Sequence, residues 1–176
     1  MSLAIEHYRA MARYNRWMNE RLYALAGKLT DEERRRDLRA FFGSLHKTLG
    51  HILLADRVWL GRFTGDPARF ATKDALGRPL DEKSLEQPLY LTFAALSAER
   101  ERTDDHLDEF IAALTEETLA GPLRYARGGV PQEHPLSWAL SHFFNHQTHH
   151  RGQATTLFSQ LGHDPGVTDL IALLRG

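Results

Sequence analysis

Four histidines crowd into one short stretch, residues 140–153: His142, His146, His149 and His150. Because a helix turns by roughly 100° per residue, residues four apart lie on one face, so three of them form a row with His149 beside it. Two imidazoles one helical turn apart can share a metal ion. The alternative is a histidine-rich, solvated helix face. A half-buried imidazole needs a partner, however, and phenylalanines interleave this row, so the spacing favours a metal site.

A third ligand is expected from a different segment, residues 44–62. His51 shares a predicted helix face with small and aliphatic residues that must face the core. His46 lies about 140° around the same helix from His51, so the two cannot easily bind one ion. The set His51, His146 and His150 would be a three-histidine site with at least one open position for water or substrate. Without the pair on the other segment, His51 would be interpreted as a core histidine bonded to a carbonyl group.

Imidazole ligands suit zinc, nickel, copper or iron, so these residues alone do not choose the metal. A ferritin-like di-iron site needs Glu-x-x-His pairs, and the sequence contains none. It also lacks the His-Glu-x-x-His, P-loop and Gly-x-Gly-x-x-Gly patterns. A Ser-His-Asp triad stays open as an alternative, although no Gly-x-Ser-x-Gly motif is present.

Four long amphipathic segments must position these histidines. Their apolar residues repeat at helical spacing over residues 2–29, 44–62, 89–114 and 135–161. They predict an all-α protein, a helical bundle in one domain spanning residues 1–176, with a long crossover loop over residues 63–88 between the second and third helices. Thr30 and Glu33 form a capping-box signature that opens a short helical turn. A small hairpin around Gly128 and Gly129 is a further expectation.

The composition narrows the class of function. The chain has 176 residues with 22 Lys and Arg against 23 Asp and Glu, which argues against nucleic acid as the main partner. The sequence contains no cysteine, so disulfides, thiolate ligands and a cysteine nucleophile are excluded, and any transferable thiol must come from a small molecule. With no apolar run long enough to span a membrane and no signal-peptide core, we expect a cytoplasmic protein without a membrane partner.

Several stretches, in order along almost the whole chain, resemble one known family. They are residues 14–19, residues 44–51 with Asp56 and Trp59, residues 142–153 and residues 162–170. The most specific is His150-Arg151-Gly152-Gln153. Together they resemble the DinB family of damage-inducible proteins with a YfiT-like fold. The resemblance implies an up-down-down-up four-helix bundle, a homodimer, and a divalent metal held at His51, His146 and His150.

Two main functions follow as expectations. The first is a metal-dependent enzyme, a small-thiol-dependent S-transferase or a hydrolase, because the wider superfamily resembled here contains thiol-dependent transferases and isomerases. It would use one divalent transition metal per chain, zinc or nickel, together with a low-molecular-weight thiol and a small-molecule substrate. His142 and His149 would orient groups or relay protons, and Trp59, Tyr90 and Phe93 are candidates for the pocket wall.

The second function is that of a non-catalytic stress-response or DNA-damage-inducible protein in which the metal is structural. A third and weaker interpretation is a helical interaction module whose histidines are surface features. An open coordination position reached from a pocket would favour the enzyme, whereas a fully enclosed site would favour a structural metal.

Overall fold

The computed structural model describes residues 2–72 and 90–175. Most of these residues lie in four long helices: α1 (Leu3–Gly27), α3 (Leu45–Thr64), α4 (Phe93–Ala112) and α6 (Leu136–Gln160). Three short helices accompany them: α2 (Asp31–Arg35), α5 (Glu116–Ala120) and α7 (Leu170–Arg175). The expected helical fold is confirmed at this level, and two strands, β1 (Pro122–Arg127) and β2 (Val130–Pro135), form a small antiparallel sheet beside the helices.

The helix ends follow the local sequence signals. Thr30 and Glu33 make the predicted capping box at α2, and the Ser44 hydroxyl accepts the Lys47 backbone N–H at the start of α3. Gly65 ends α3 in the left-handed region, with φ of 70°. Helix α4 begins four residues later than predicted. The predicted crossover loop falls largely on residues 73–89, outside the described part of the chain.

The predicted hairpin is present and closes through Gly128 and Gly129. Their φ angles of 58° and 80° are both in the left-handed region, which a two-residue turn between twisted strands requires and glycine adopts without a Cβ clash. The strands pair Arg127 with Val130 at the turn and Pro122 with Pro135 at the open end. Residues of the hairpin contact α3 and α6, so it covers one end of the helices that carry the histidines.

The four long helices pack in a closed pattern, in which α1 and α3 each contact both α4 and α6. Their buried apolar side chains form two core clusters. The first core cluster is built around Leu60, Leu107 and Phe143, and the second around Met18, Leu53 and Phe158. Along α3, α4 and α6, buried polar residues lie between the two clusters. We call them, with two asparagines of α1, the polar layer: Asn15, Asn19, Asp56, Arg57, Arg100, Thr103, Asp104, Gln147 and Arg151.

Candidate metal centre

Helices α3 and α6 bring three histidines together. His51 comes from α3, while His146 and His150 lie one turn apart on α6. One ring nitrogen from each of the three lies within 4.8 Å of the others. The Nε2 atoms of His51 and His150 are 3.2 Å apart. The three residues that the sequence pattern proposed as ligands therefore form one group, which we call the histidine site.

The spacing of the nitrogens suits a single metal ion. Two imidazole nitrogens at about 2.0–2.1 Å from a tetrahedral zinc ion stand about 3.3 Å apart. The separation of 3.2 Å between His51 and His150 lies close to that value. The ring centroid of His146 lies 5.3 Å from that of His51 and 4.3 Å from that of His150, so the third imidazole faces the same point. The residues present therefore fit a three-histidine divalent-metal site.

Burial sets the protonation state of this group. His51 and His150 are buried and His146 is half-buried. Loss of hydration, together with the neighbouring His150 and His51, lowers the pKa of His146 to about 3. Loss of hydration also lowers the pKa of His150. His146 and His150 are therefore neutral at pH 7, the form whose lone pair can bind a metal.

Gln153 selects the tautomer of His150. Its side-chain oxygen Oε1 lies 2.8 Å from Nδ1 of His150. Because an amide oxygen only accepts hydrogen bonds, Nδ1 of His150 must carry the proton and Nε2 must carry the lone pair. A metal-ligating histidine is commonly held by such a second hydrogen bond. No role for Gln153 was predicted, although its place three residues after His150 puts the two side chains on one helix face.

Phe42 forms a wall of the histidine site that the sequence did not reveal. Its ring stacks on His51 with centroids 4.1 Å apart and lies 5.5 Å from the ring of His150. Phe42 belongs to the turn before α3, where Ala40 and Gly43 form an isolated bridge. No periodic pattern marks such a turn, so only the packing of the chain identifies this contact.

The two histidines proposed for proton transfer lie at the edge of the site. His142 is exposed, with its ring 6.1 Å from His146 and 5.1 Å from Trp59. His149 is also exposed, and its ring contacts His150 edge-on at 4.8 Å. Loss of hydration lowers the pKa of His142, with further lowering by two arginines. Both residues thus contact a proposed ligand, while their catalytic role stays a prediction.

The three aromatic residues proposed for the pocket wall do not all lie beside the histidine site. Trp59 contacts His142 and so lies beside the site. Phe93 stacks on Tyr23, in the second core cluster, so it is not part of this wall. The backbone carbonyl of Tyr90 lies 2.7 Å from Nε2 of His46, which is buried. His46 therefore points away from the histidine site, as its helical angle predicted.

The polar layer adjoins the histidine site and holds charges of both signs. Arg100 lies between Asp56 and Asp104, at 2.6 Å and 2.8 Å, and all three side chains are buried. Asn19 donates to Asp104 at 3.0 Å. Arg151, the neighbour of a proposed ligand, donates to Asn15 of α1. The motif around His150 therefore also ties α6 to α1.

None of the helices in residues 2–72 and 90–175 is long and apolar enough to cross a membrane.

Comparison with known proteins finds that the model of the DinB family matches residues 1–176. The chain is also similar to the protein named "Protein DinB" of Bacillus subtilis (strain 168). The two are 31% identical over 161 residues, covering 89% of this chain and 87% of that protein.

Proposed function

This chain belongs to the DinB family, as its motifs predicted, and on that premise we propose that it binds one divalent transition metal ion at His51, His146 and His150 and uses it in a reaction of a small thiol or water. The observation that carries the proposal is the convergence of three imidazole nitrogens within 4.8 Å. Zinc or nickel is the metal we expect at an all-imidazole site of this kind.

The bundle order belongs to the same proposal. Helices α1 and α6 run in the same direction, because residues later in α1 contact residues later in α6: Tyr8 with Ser141 and Asn15 with Arg151. Helices α3 and α4 are parallel for the same reason: Asp56 with Arg100 and Phe63 with Phe110. Helices α1 and α4 are antiparallel, because residues later in α1 contact residues earlier in α4: Arg16 with Asp108 and Tyr23 with Phe93. Helices α3 and α6 are antiparallel as well: His51 with His150 and Trp59 with His142. This order supports an up-down-down-up four-helix bundle.

The chemistry follows from the residues around the site. A divalent ion held there would lower the pKa of a bound water or thiol, providing a nucleophile near neutral pH. His142 is neutral at pH 7 and exposed beside His146, so it can accept the proton that the nucleophile releases. His149 contacts His150 edge-on and is the second candidate for this proton transfer. In the proposed transfer the thiol sulfur forms a bond to the electrophilic carbon, and the leaving group departs with the electron pair of the broken bond.

The thiol must be a separate small molecule, because the chain contains no cysteine. The half-buried position of His146 and the exposure of His142 support a site that substrates can reach. A purely structural metal is the second candidate function. The burial of His51 and His150, which would link α3 to α6 through one ion, favours that candidate in a damage-inducible protein without catalysis.

Metal analysis of protein purified without a histidine tag tests the binding step. We expect about one divalent ion per chain, released by acidification to a pH well below about 6, because burial lowers the pKa of His146 and His150 and protons compete for these imidazoles only there. Metal-free and metal-loaded protein are then compared on a panel of small thiols and electrophiles. Faster reaction with the loaded protein supports the enzyme. Equal rates, with loaded protein more resistant to heat, support the structural metal.

A homodimer completes the proposal. Large apolar side chains lie on the surface at Leu3, Phe41 and Trp138, which are 89%, 80% and 75% exposed. Exposed apolar surface of this kind is typical of protein–protein contacts, which supports association of two copies of the chain. Sedimentation at micromolar concentration and above measures the association directly, and a monomer over that whole range would contradict it.

A further inference from the structure

A pocket of about 370 Å³ lies in the groove between α1 and α4. The histidine site belongs to a different pair of helices, α3 and α6, and none of its three residues is among the described residues that line this pocket. The volume is typical of a site for a small molecule. The charged residues that line it are Arg16 and Glu20 from α1, with Arg100, Glu101 and Asp104 from α4. We call it the α1–α4 pocket.

The two arginines of the α1–α4 pocket already have anionic partners. Arg16 lies 2.6 Å from Asp108 and 2.7 Å from Asp105. Arg100 lies between two buried carboxylates of the polar layer, at 2.6 Å and 2.8 Å. Each guanidinium group therefore has its charge compensated by two carboxylates, so the arginines do not make the pocket a site for anions.

Glu20 and Glu101 differ from the arginines because they have no partner of opposite charge. Both residues are exposed and line the pocket. Within residues 2–72 and 90–175, neither carboxylate pairs with a cation or accepts a hydrogen bond. The uncompensated charge of the pocket is therefore negative, and such a charge attracts a cation.

The two carboxylates lie at the same level of the groove. Glu20 comes one helical turn after Arg16, and Glu101 comes one turn before Asp105, the residue with which Arg16 pairs. Because α1 and α4 are antiparallel, one turn forward on the first helix faces one turn backward on the second. Two negative charges placed in this way repel each other, and a cation that binds between them relieves the repulsion.

Tyr23 adds a buried polar group to the same pocket. The residue is 7% exposed, and its hydroxyl has no hydrogen-bond partner among the described residues. A buried tyrosine hydroxyl normally has one. Loss of hydration raises the pKa of Tyr23, so the phenol keeps its proton at neutral pH. Its oxygen can accept a hydrogen bond from the N–H of a ligand.

The part of the pocket around the Tyr23 ring is apolar. The ring of Phe93 stacks on that of Tyr23, with centroids 5.9 Å apart. Ala24 and Gly27 line the pocket as well, and a Cβ added at Gly27 would lie 3.6 Å from the Phe93 ring. The small size of these two residues leaves room beside the rings, which suits a carbon chain or ring of a ligand.

The arrangement suits an organic cation better than a metal ion. Among the described residues, only the histidine site brings three side chains together as ligands of one ion. The carboxylates of Glu20, Glu101 and Asp104 do not converge in that way. A cation larger than a metal ion can contact separated carboxylates and place its carbon atoms against the aromatic rings.

We propose that the α1–α4 pocket binds a small organic cation, an ammonium group joined to an apolar body. The ammonium lies between the carboxylates of Glu20 and Glu101, and the Tyr23 hydroxyl accepts one of its hydrogen bonds. The apolar body lies against Phe93 and Ala24. The pocket is thus a second ligand site, separate from the histidine site and independent of the proposed metal-dependent function.

Calorimetric titration tests the ligand class with four probes: phenethylammonium, neutral 2-phenylethanol, anionic 3-phenylpropionate and methylammonium. We expect phenethylammonium to bind, more weakly as salt rises, and the alcohol and the carboxylate to bind at least about tenfold more weakly. Methylammonium should also bind more weakly, because it lacks the apolar body. No binding of phenethylammonium, or equal binding of the alcohol, overturns the proposal. Magnesium ion that displaces phenethylammonium at equal concentration also overturns it, in favour of a metal site.

Matched variants locate the cation. Glu20→Gln and Glu101→Gln should each weaken binding of phenethylammonium by about threefold to tenfold, because each removes one charge at an exposed position where folding does not depend on it. Glu109→Gln removes the same charge from the exposed surface of α4 outside the pocket and should leave binding unchanged. Wild-type affinity in a variant that carries both pocket substitutions would overturn the assignment.

Tyr23→Phe tests the hydroxyl and keeps the ring. It should weaken binding by about threefold to tenfold without lowering the free energy of unfolding, because the hydroxyl has no partner within the described part of the chain. Lower stability with unchanged affinity would overturn the role of this hydroxyl.

Metal-free and metal-loaded protein should bind phenethylammonium equally, because the pocket and the histidine site share no described residue. Equal binding supports the α1–α4 pocket whatever the outcome for the metal-dependent reaction. Binding that is lost when the metal is removed would place the amine at the histidine site and overturn the proposal.

Discussion

The histidine site and the polar layer are neighbouring buried polar regions between the same helices. They differ in how the cost of burying polar groups is compensated. In the polar layer, Arg100 is 2% exposed and lies between two buried carboxylates at 2.6 Å and 2.8 Å. Opposite charges there compensate one another within the protein. In the histidine site, three groups of the same kind face each other, and none carries a compensating charge for the others.

The same physical cause therefore produces two chemistries. Loss of hydration disfavours every charged form: it raises the pKa of Asp104 to about 6 and lowers that of His146 to about 3. Asp104 has Arg100 and Asn19 as partners, which favour its charged form. His146 and His150 instead stay neutral, and all three histidines present a ring nitrogen to a shared point. Paired opposite charges support the fold, whereas convergent acceptors suit a cation, and this difference makes the histidine site the candidate functional region.

The largest expected effect tests whether the histidine site is the place where metal binds. His146→Ala and His150→Ala should each abolish stoichiometric metal binding, because two imidazoles alone form a much weaker site. His46→Ala is the matched control and should keep binding nearly intact, since this residue bonds the carbonyl of Tyr90. Metal analysis after dialysis against a competing chelator measures both. Full stoichiometry and affinity in either ligand variant would show that the assignment is wrong.

The second prediction tests the polar layer as a structural region. Arg100→Leu should lower the free energy of unfolding by about 3–5 kcal/mol, because it leaves Asp56 and Asp104 buried without their cation. Arg102→Leu, whose side chain is 59% exposed and pairs with Glu99, should change it by less than about 0.5 kcal/mol. Urea denaturation compares the two. A cost below about 1 kcal/mol for Arg100→Leu would mean that Arg100 does not compensate the two carboxylates.

The third prediction concerns the hydrogen bond that orients a proposed ligand. Gln153→Ala should weaken metal affinity by about tenfold to a hundredfold while leaving one ion per chain, because the lone pair of His150 is no longer fixed at Nε2. Gln160→Ala, exposed at the end of the same helix, is the control. Competition with a chromophoric chelator gives both affinities. Equal losses in the two variants would exclude a specific role for Gln153.

The smallest expected effect is the pH dependence of the free energy of unfolding. The contributions of the histidine site and of the polar layer to it have opposite signs. His146 has a folded pKa of about 3, below its unfolded value of about 6.5, so the unfolded chain takes up the proton first and stability falls as pH drops below about 6.5. Asp104 has a folded pKa of about 6, above its unfolded value of about 3.9. Stability from that residue is therefore lost as pH rises toward 6.

Comparing metal-free wild type with His146→Ala isolates the histidine contribution, because both proteins keep Asp104. As pH falls from 7.5 to 5, the wild type should lose stability relative to the variant, by at most about 1.4 kcal/mol per pH unit. Urea denaturation at several pH values measures the difference. A constant difference across this range would show that His146 is not held neutral by burial.

Much of this fold is local, and the sequence predicted those parts. The capping box at Thr30 and Glu33 depends on contacts three residues apart, and the hairpin turn depends on two consecutive glycines at positive φ. Arg100 lies four residues after the buried Leu96 on α4, so helical periodicity puts the two on one face, and Arg100 is buried as well. Its partner Asp56 could not be predicted, because it lies 44 residues away on another helix.

The sequence by itself determined that His146 and His150 share a face, since 3.6 residues per turn is a property of the helical backbone. The tertiary structure decided that His51 joins them, because its Nε2 meets that of His150 across 99 residues of sequence only where α3 packs on α6. It also decided that Phe42 covers His51 and that Glu20 and Glu101 line one pocket. Such contacts depend on how whole helices, turns and strands pack, and no short-range pattern encodes them.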